Sequence, residues 1–377
     1  MCQREICDFD ASDDLSVEPT QRLMFRLGLS GDLSELDGSV EFATLGLEAL
    51  QSVPWLEWEI LPRTATELRA EDLKGYDALI LEAPRLTADS LMSVERLALV
   101  ARFGVGYDNV DIEACTASGV IVTITPDGVR RPLAVSAVTF VLALSQWLVA
   151  KDRLTRTQRW DDRGRYLGVG LEGRTLGVIG LGNVGAEVMR LIEPFGMRRL
   201  AHDPYVGTSV AAAVGAELLD LETLLRESDF VVVLCALTPA TRGLLSAERI
   251  ALMKRSSFLV NVARGPIVDQ PALTEALAEG RIRGAGLDVF EREPVDPDDP
   301  LLQLDNVIVS PHAICSTDHC LADCGHSALR SVFSVAAGQT PEHVVDRRVL
   351  EDERVRERLA TFRTRFGLAE VPSRAMD

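Results

Sequence analysis

Residues 175–185 have the sequence Thr175-Leu-Gly-Val-Ile-Gly-Leu-Gly-Asn-Val-Gly185. Its apolar first half favours a buried strand, and its second half has the spacing Gly180-x-Gly182-x-x-Gly185 ahead of a helix-forming segment. In such a turn the first glycine permits the tight bend, the second lets a phosphate approach the backbone, and the third lets helix and strand pack closely. The helix begins with free N–H groups, which favour an anion. The stretch predicts a strand–turn–helix unit that binds the pyrophosphate of a dinucleotide.

An acidic residue, Asp203, follows the next apolar segment, Arg199–His202. A carboxylate at the end of the second strand can accept hydrogen bonds from both hydroxyls of a ribose. The same negative charge repels the additional 2′-phosphate of NADP. The spacing therefore indicates NAD as the cofactor.

Strand-like and helix-like segments alternate regularly from residue 175 to residue 310, which is typical of a doubly wound parallel α/β sheet. The six predicted strands are Leu176–Ile179, Arg199–His202, Asp229–Cys235, Ser257–Val262, Gly286–Val289 and Val307–Ser310. The helices are predicted near Val184–Phe195, Leu221–Glu227, Ala247–Met253 and Pro271–Ala278.

The sequence before residue 125 predicts a second parallel α/β unit, because short apolar runs again alternate with helix-like segments. Its predicted strands are Arg22–Leu29, Leu56–Leu61, Asp77–Leu81, Ala98–Phe103 and Val120–Ile124, with helical segments at Gly46–Ser52 and Ser90–Arg96. A nearly all-apolar helix, Leu133–Val149, joins the two units, and its uniform apolarity predicts burial on every side. A final amphipathic helix is predicted at about Thr317–Ala337.

These patterns divide the chain into four expected segments. Residues 1–20 are acidic and expected to be poorly ordered, and residues 351–377 form a charged tail with a solvated helix. Residues 21–130 and 313–350 together form a substrate domain, and residues 131–312 form the dinucleotide-binding domain. At 377 residues the chain is too long for one ordinary core, which favours this two-domain arrangement.

Charge and composition exclude some classes of partner. The formal net charge of −18 disfavours nucleic acid and anionic membranes, since both would be repelled. No apolar run reaches the roughly 18 residues of a membrane span, and the acidic N-terminus lacks a signal-peptide core. The seven cysteines have no disulfide-framework spacing, which suits a reducing compartment. We therefore expect a cytoplasmic protein without nucleic-acid or membrane partners.

The chain resembles the NAD-dependent D-isomer-specific 2-hydroxyacid dehydrogenases. Besides the glycine turn and Asp203, the resemblance rests on Arg102-Phe-Gly-Val-Gly-Tyr-Asp-Asn-Val-Asp111, Asn261-Val-Ala-Arg-Gly-Pro-Ile-Val-Asp269, Gly286-Leu-Asp-Val-Phe-Glu-Arg-Glu-Pro294 and Ser310-Pro-His312. It implies two Rossmann-like domains, with a doubly wound NAD-binding domain inserted into a flavodoxin-like substrate domain. The active site is then expected in the cleft between them.

Reduction of a 2-keto acid requires a cation for the carboxylate and carbonyl, an acid for the alkoxide, and a group that adjusts the pKa of that acid. Arg264 follows a predicted strand and suits the cation, because a guanidinium holds a carboxylate through two parallel hydrogen bonds. His312 follows the last strand and suits the acid. Glu293, which precedes the family's proline, is the expected carboxylate partner of His312, and Glu291 is its rival.

The remaining site residues are also expected from the resemblance. The backbone N–H groups of Gly104, Val105 and Gly106 would hold the substrate carboxylate, and glycine leaves room for close approach. The cofactor contacts are expected at Gly180, Gly182, Asn183, Val184, Gly185, Asp203, Cys235, Val262, Ala263 and Asp288. For Asp288 the alternative is a purely structural hydrogen bond.

Two features depart from the family pattern. Arg130 and Arg131 lie at the predicted hinge, where Arg131 would bind a second anionic group of the substrate, or where the two would form a solvated or salt-bridged pair. The segment from His312 to His326 concentrates histidines and cysteines, yet its spacing forms no closed tetrahedral set, so we expect no metal.

The predicted function is the interconversion of a small anionic 2-keto acid and its D-2-hydroxy acid by hydride transfer. The alternative is an NAD(H)-sensing binding protein or corepressor of the same fold. A homodimer is expected, with its interface at the 133–149 helix and the polar arm that follows it.

Overall fold

The computed structural model describes residues 24–34, 41–62 and 66–366, and these form two parallel β-sheets. The expected N-terminal segment 1–20 and the last part of the tail lie outside the described residues. The first sheet has the order β2-β1-β3-β4-β5, the flavodoxin-like order. Its strands are β1 (Phe25–Leu29), β2 (Leu56–Ile60), β3 (Ala78–Leu81), β4 (Leu99–Arg102) and β5 (Ile121–Thr123).

All five predicted strands of this sheet are present, but its helices are shorter than expected. The segments predicted as helices contain only 3-10 turns, Glu48–Gln51 and Asp89–Leu91. Pro54 disfavours helix in the residue before it, and Ser93 has a left-handed φ of 60° that ends the second turn. The α-helices found here are α1 (Ala70–Leu73) and α2 (Ile112–Ala117).

A long helix, α3 (Pro126–Gln146), leads from the first sheet to the second. It begins earlier than predicted, with a proline in its first turn, and it ends because Trp147 adopts a left-handed φ of 55°. A separate helix, α4 (Leu148–Arg156), then starts. Within the single chain this helical segment is not buried on every side, since Val135 is 45% and Leu148 60% exposed.

Helix α3 is also the one described helix with the length and composition of a membrane span. In the structure, however, 56% of its apolar window is buried. Such a helix is typical of a protein core, and α3 packs in this way against elements of both halves of the molecule.

The second sheet has the order β12-β11-β10-β9-β6-β7-β8, with every pairing parallel. Its strands are β6 (Thr175–Ile179), β7 (Arg198–His202), β8 (Glu217–Leu218), β9 (Phe230–Val233), β10 (Phe258–Asn261), β11 (Gly284–Leu287) and β12 (Val307–Val309). Its helices are α5 (Asn183–Ile192), α6 (Thr208–Ala213), α7 (Leu221–Glu227), α8 (Ala247–Ile250) and α9 (Gln270–Ala278). The six predicted strands are all present, and the seventh, β8, is a two-residue edge strand with too little periodicity to be recognised.

The chain then returns to the first sheet through α10 (Asp318–Ala336), which packs on α3 and β4. The last described helix, α11 (Glu353–Phe366), was predicted to be solvated, and this was wrong. Its Phe362 and Phe366 rings lie 5.3 and 5.8 Å from the ring of Phe25 in β1, so the helix belongs to the first core.

Candidate active site

A cleft of about 600 Å³ lies where the carboxyl ends of the two sheets face each other. Open α/β sheets bind ligands at this edge. The structure brings together here most of the residues expected to bind substrate and perform catalysis. The predicted residues that line the cleft are Gly104, Val105, Gly106, Val262, Arg264, Asp288, Glu293 and His312.

His312 and Glu293 form a hydrogen-bonded pair in this cleft, with 2.7 Å between His312 Nδ1 and Glu293 Oε2. The hydrogen bond with Glu293 raises the pKa of His312 above its usual value, against the opposing effect of burial. Burial opposes ionisation of Glu293, but hydrogen bonds from His312 and from the Phe290 N–H outweigh it and lower its pKa. Because Nδ1 is engaged, Nε2 is the ring nitrogen left for a ligand.

The backbone holds the imidazole in an uncommon conformation. His312 has a φ of 55°, in the left-handed region that non-glycine residues rarely occupy. Its N–H donates to the carbonyl of Asp288 at 2.8 Å. Strain of this kind persists only where the surroundings impose it, and it concentrates at functional sites.

Asp288 fixes the same segment through its side chain. Asp288 is 2% exposed, and its Oδ1 accepts the N–H groups of Ala313 and Ile314 at 3.0 and 3.1 Å. Burial raises its pKa, although these hydrogen bonds oppose the shift. The contacts present are those of the structural alternative, and they position His312.

Arg264 follows β10 and is held from both sides of the cleft. Its Nε donates to Asp108 Oδ1 at 2.8 Å, and its Nη1 donates to the Ala263 carbonyl at 2.8 Å. Burial favours the neutral form of Asp108, but Arg264 outweighs it and lowers the carboxyl pKa. Asn261 Nδ2 donates to the Arg264 carbonyl at 3.0 Å. Sequence reasoning missed the role of Asp108, although it lies in the block Arg102–Asp111 quoted for the resemblance.

The loop after β4 passes directly beside this guanidinium. Gly104 has a φ of 126°, and its N–H donates to Thr125 Oγ1 at 2.8 Å, so this N–H is already engaged. The N–H groups of Val105 and Gly106 have no hydrogen-bond partner among the described residues. A Cβ at Gly106 would collide with the terminal nitrogens of Arg264, which explains the need for glycine there.

The glycine turn has the geometry that a pyrophosphate requires. Gly180 has a φ of 99°, and a Cβ there would lie 2.6 Å from the backbone N of Cys235. A Cβ at Gly185 would collide with the carbonyl of Gly180, so close packing of helix and strand depends on this residue. A Cβ added at Gly182 would meet no atom of the described residues within 4 Å, so the space beside this glycine is free. This cradle is open to a ligand.

The start of α5 and the end of β7 complete this cradle. The N–H groups of Asn183 and Val184 have no acceptor within the described part of the chain. Asp203 lies over the turn, where its Oδ2 accepts the Leu181 N–H at 2.8 Å and its Oδ1 accepts the Tyr205 N–H at 2.9 Å. Its remaining lone pairs can accept hydroxyl groups. The residues present therefore fit a dinucleotide.

The other expected cofactor contacts lie nearby. Burial raises the pKa of the Cys235 thiol to about 11, so the thiol is neutral, and its backbone lies beside Gly180. Val262 is buried and lines the cleft. The Ala263 N–H donates to Asn261 Oδ1 at 3.1 Å.

The structure places Arg131 away from the cleft lining. Its guanidinium forms a salt bridge with Glu187 of α5, and its side chain is 61% exposed. Arg130 is exposed as well. The surface-pair alternative describes Arg131 in this structure, because the helical phase of α3 directs it toward α5.

The histidine and cysteine side chains of the segment from His312 to His326 lie in several different environments. His319 is exposed and pairs with Asp318, whereas His326 lies 3.6 Å from Glu48. Cys315 and Cys320 line the cleft. Within the described ranges, no group of three or more metal-binding side chains is brought together.

Comparisons with known proteins agree with this architecture. Residues 138–313 match the family model described as D-isomer specific 2-hydroxyacid dehydrogenase, NAD binding domain. A glyoxylate reductase from Thermococcus onnurineus is 38% identical over 300 residues, which cover 78% of this chain and 90% of that protein. A D-lactate dehydrogenase from Aquifex aeolicus, solved with NAD and lactic acid, has a TM-score of 0.73 and 28% identity, covering 83% of this chain and 96% of that chain.

A D-3-phosphoglycerate dehydrogenase from Methanocaldococcus jannaschii is 39% identical over 292 residues, which cover 77% of this chain but 55% of that protein. The chain thus spans about half the length of this relative. The parallel sheets, the dinucleotide cradle and these similarities lead to one assignment: the chain belongs to the D-isomer-specific 2-hydroxyacid dehydrogenases and is an NAD-dependent oxidoreductase of that family.

Proposed function

We propose that this protein reduces a small 2-keto acid to its D-2-hydroxy acid with NADH, and catalyses the reverse oxidation. One observation carries the proposal: Arg264, the His312–Glu293 pair and two loop N–H groups that lack a partner in the described part of the chain all face the same cleft. A cation, a proton donor and amide donors are the groups that 2-keto acid reduction requires.

In the proposed reaction, Arg264 holds the substrate carboxylate and polarises the carbonyl. The N–H groups of Val105 and Gly106 add two hydrogen bonds to the carboxylate. As negative charge develops on the carbonyl oxygen, His312 donates the Nε2 proton to it, and Glu293 stabilises the imidazolium beforehand. Asp108 keeps the guanidinium in place.

NADH, when bound, supplies the hydride. Gly180, Gly182, Gly185 and the first N–H groups of α5 would hold its pyrophosphate, and Asp203 would hold its adenosine ribose. The Asp203 carboxylate also disfavours a 2′-phosphate, so NADH should be used in preference to NADPH.

The test is NADH oxidation by a panel of small 2-keto acids, repeated with NADPH. Turnover with NADH that is lost in H312N supports the proposal. Tight NADH binding without turnover of any keto acid would contradict it and favour the NAD(H)-sensing alternative.

We also propose the homodimer and the domain boundaries. Exposed apolar side chains follow the end of α3, including Leu148 at 60% and Leu167 at 78% exposure, and they support an interface there. Light scattering should give a dimer for the wild type and a monomer for the double variant L148D/L167D. A monomeric wild type would refute the interface.

We propose two domains. Residues 131–312 bind the cofactor, and residues 21–130 with 313–350 bind the substrate. Helix α11 packs in the core of the substrate domain and is added to it.

Location and remaining partners are proposals as well. The described cysteines are free thiols, which supports a reducing, cytoplasmic compartment. The net charge of −18 supports the expectation of neither nucleic-acid nor membrane partners. Cell fractionation, and a nucleic-acid binding assay at low salt, test these two points.

A further inference from the structure

One carboxylate in the cleft is not used by the proposed mechanism. Glu82 follows β3 and lines the cleft on the side of the first sheet. Its backbone is fixed, because its N–H donates to Ser30 Oγ at 2.9 Å and its carbonyl accepts Asn109 Nδ2 at 3.0 Å. Its carboxylate oxygens have no hydrogen-bond or ion-pair partner in the described ranges.

The nearest cation does not neutralise this carboxylate by contact. Arg102 directs its Nη1 to the backbone carbonyls of Leu81 and Phe103 instead, and its Nε is buried without a partner. It lies within electrostatic reach of both Glu82 and Arg264. The guanidinium of Arg102 is therefore oriented by the main chain rather than by Glu82.

A second acid increases the cost of ionising Glu82. Asp32 Oδ2 accepts the Ala83 N–H at 2.6 Å, while its Oδ1 is buried without a partner. Burial, and then the charge of Asp32, raise the pKa of Glu82 to about 7, whereas Arg102 and His312 oppose the shift. Glu82 is half-buried, and a partly desolvated carboxylate without a donor is less favourable than a paired one, so a ligand that supplies a donor would be favoured here.

We propose that Glu82 is a specificity-determining residue. It accepts a hydrogen bond from a donor group, a hydroxyl or a cationic N–H, at the end of the substrate remote from the 2-keto acid. In its ionised form it also rejects substrates with a second anionic group, because like charges repel. This inference rests on the proposed function, and it assigns the remote end of the substrate the opposite character to that suggested by Arg131 in the sequence.

Polar groups distinguish between ligands more strongly than apolar surfaces do. A site with a buried hydrogen-bonding group discriminates strongly against ligands that leave this group unpaired, whereas an apolar pocket discriminates weakly. A second carboxylate or phosphate beside Glu82 would add repulsion between like charges in a partly desolvated cleft. Arg264 and the two loop N–H groups meanwhile hold the first carboxylate, so the two ends of the substrate meet opposite fields.

The test compares kcat/KM for four 2-keto acids: hydroxypyruvate with a hydroxyl donor, pyruvate with a methyl group, oxaloacetate with a second carboxylate, and 2-keto-5-guanidinovalerate with a cation. We expect wild type to prefer a donor-bearing substrate over pyruvate by about tenfold or more, and oxaloacetate to be the poorest. E82Q should improve oxaloacetate relative to pyruvate by about tenfold. E82L should abolish the preference for the donor.

The arms of this experiment separate the possible donors. A preference for hydroxypyruvate that largely survives in E82Q identifies a neutral donor, whereas a preference for the guanidino acid that collapses in E82Q identifies a cation. Circular dichroism of both variants checks that the fold persists. E291Q, which removes an exposed carboxylate at the same cleft, is the matched control and should change the ratios by less than about twofold.

Unchanged substrate ratios in E82Q and E82L would overturn the inference while leaving the proposed function intact. Absence of turnover with every keto acid in wild type would instead contradict the proposed function. An oxaloacetate preference in wild type would also overturn the inference, since it would place a positive field at the remote end.

Discussion

The two walls of the cleft differ in how their polar groups are satisfied. On the wall built after β10 and β12, each group assigned to the chemistry has a protein partner: Arg264 has Asp108, and His312 has Glu293. On the wall built after β3 and β4, Glu82 and the Nε of Arg102 have none among the described residues. The first wall is organised before any ligand arrives, whereas the second leaves its polar groups to be completed by one.

This difference separates reaction from recognition. Donors that are already oriented stabilise developing charge without reorganisation during the reaction, which is the larger contribution to catalysis. Unsatisfied groups contribute little to the chemical step but discriminate among ligands. Changes to Arg264 or His312 should therefore lower rates for every substrate, and changes to Glu82 should alter the ratios between substrates.

The largest effect is expected at His312. H312N removes the proton donor and should lower kcat for keto-acid reduction by about 10³-fold. NADH affinity, measured by fluorescence titration, should stay within about twofold, because the cradle lies elsewhere. A variant with near wild-type kcat would show that His312 is not the proton donor, and would contradict the assignment of catalysis to this wall.

Arg264 should follow, because lysine keeps the charge but loses the paired donors. We expect R264K to lower kcat/KM by about 100-fold for all keto acids alike, measured in steady-state assays. R292K is the matched control, since Arg292 is an exposed arginine in a nearby loop, and it should behave as wild type. Loss of activity with only one substrate would show that Arg264 acts in substrate discrimination rather than in the reaction itself.

Glu293 should affect the pH profile more than the rate. It raises the pKa of His312, so the imidazole stays protonated to a higher pH, and reduction weakens as pH rises through that raised pKa. E293Q should move the alkaline limb of kcat/KM to lower pH and reduce kcat by about tenfold. An unchanged limb would show that another group sets the profile, and E291Q serves as the control.

The smallest effect is expected where the walls touch. G106A places a methyl group against Arg264 and should displace the guanidinium, raising KM for the keto acid by about fivefold with little change in kcat. Gly170 has open space around its Cβ position, so G170A should be neutral. Equal behaviour of the two variants would show that Arg264 adapts freely.

The sequence predicted the cofactor half well because its signals are local. The glycine turn and Asp203 are each recognised from residues that are their neighbours in the sequence. Helix α7 was predicted with its observed bounds, Leu221–Glu227. The order of the first sheet followed from the family resemblance. Arg264, Glu293 and His312, which perform the proposed chemistry, were likewise identified from short sequence motifs.

Other features depend on contacts between distant residues. Asp108 and Arg264 are separated by 156 positions, and Glu82 becomes notable only once its lack of a partner is seen. Arg131 lies outside the cleft lining in this structure, because the direction of a helical side chain depends on where the helix begins. The buried face of α11 had a readable signal, since Val355, Leu359, Phe362 and Phe366 recur at helical spacing within a charged segment.

The left-handed backbone of His312 limits which residues can replace it without disturbing the main chain. Glycine and asparagine adopt this conformation readily, so H312G and H312N keep the local turn while losing the hydrogen bond to Glu293 and the proton donor. A β-branched residue at this position would add backbone strain to the same loss. Only replacements that tolerate a positive φ therefore separate the loss of the acid from damage to the main chain.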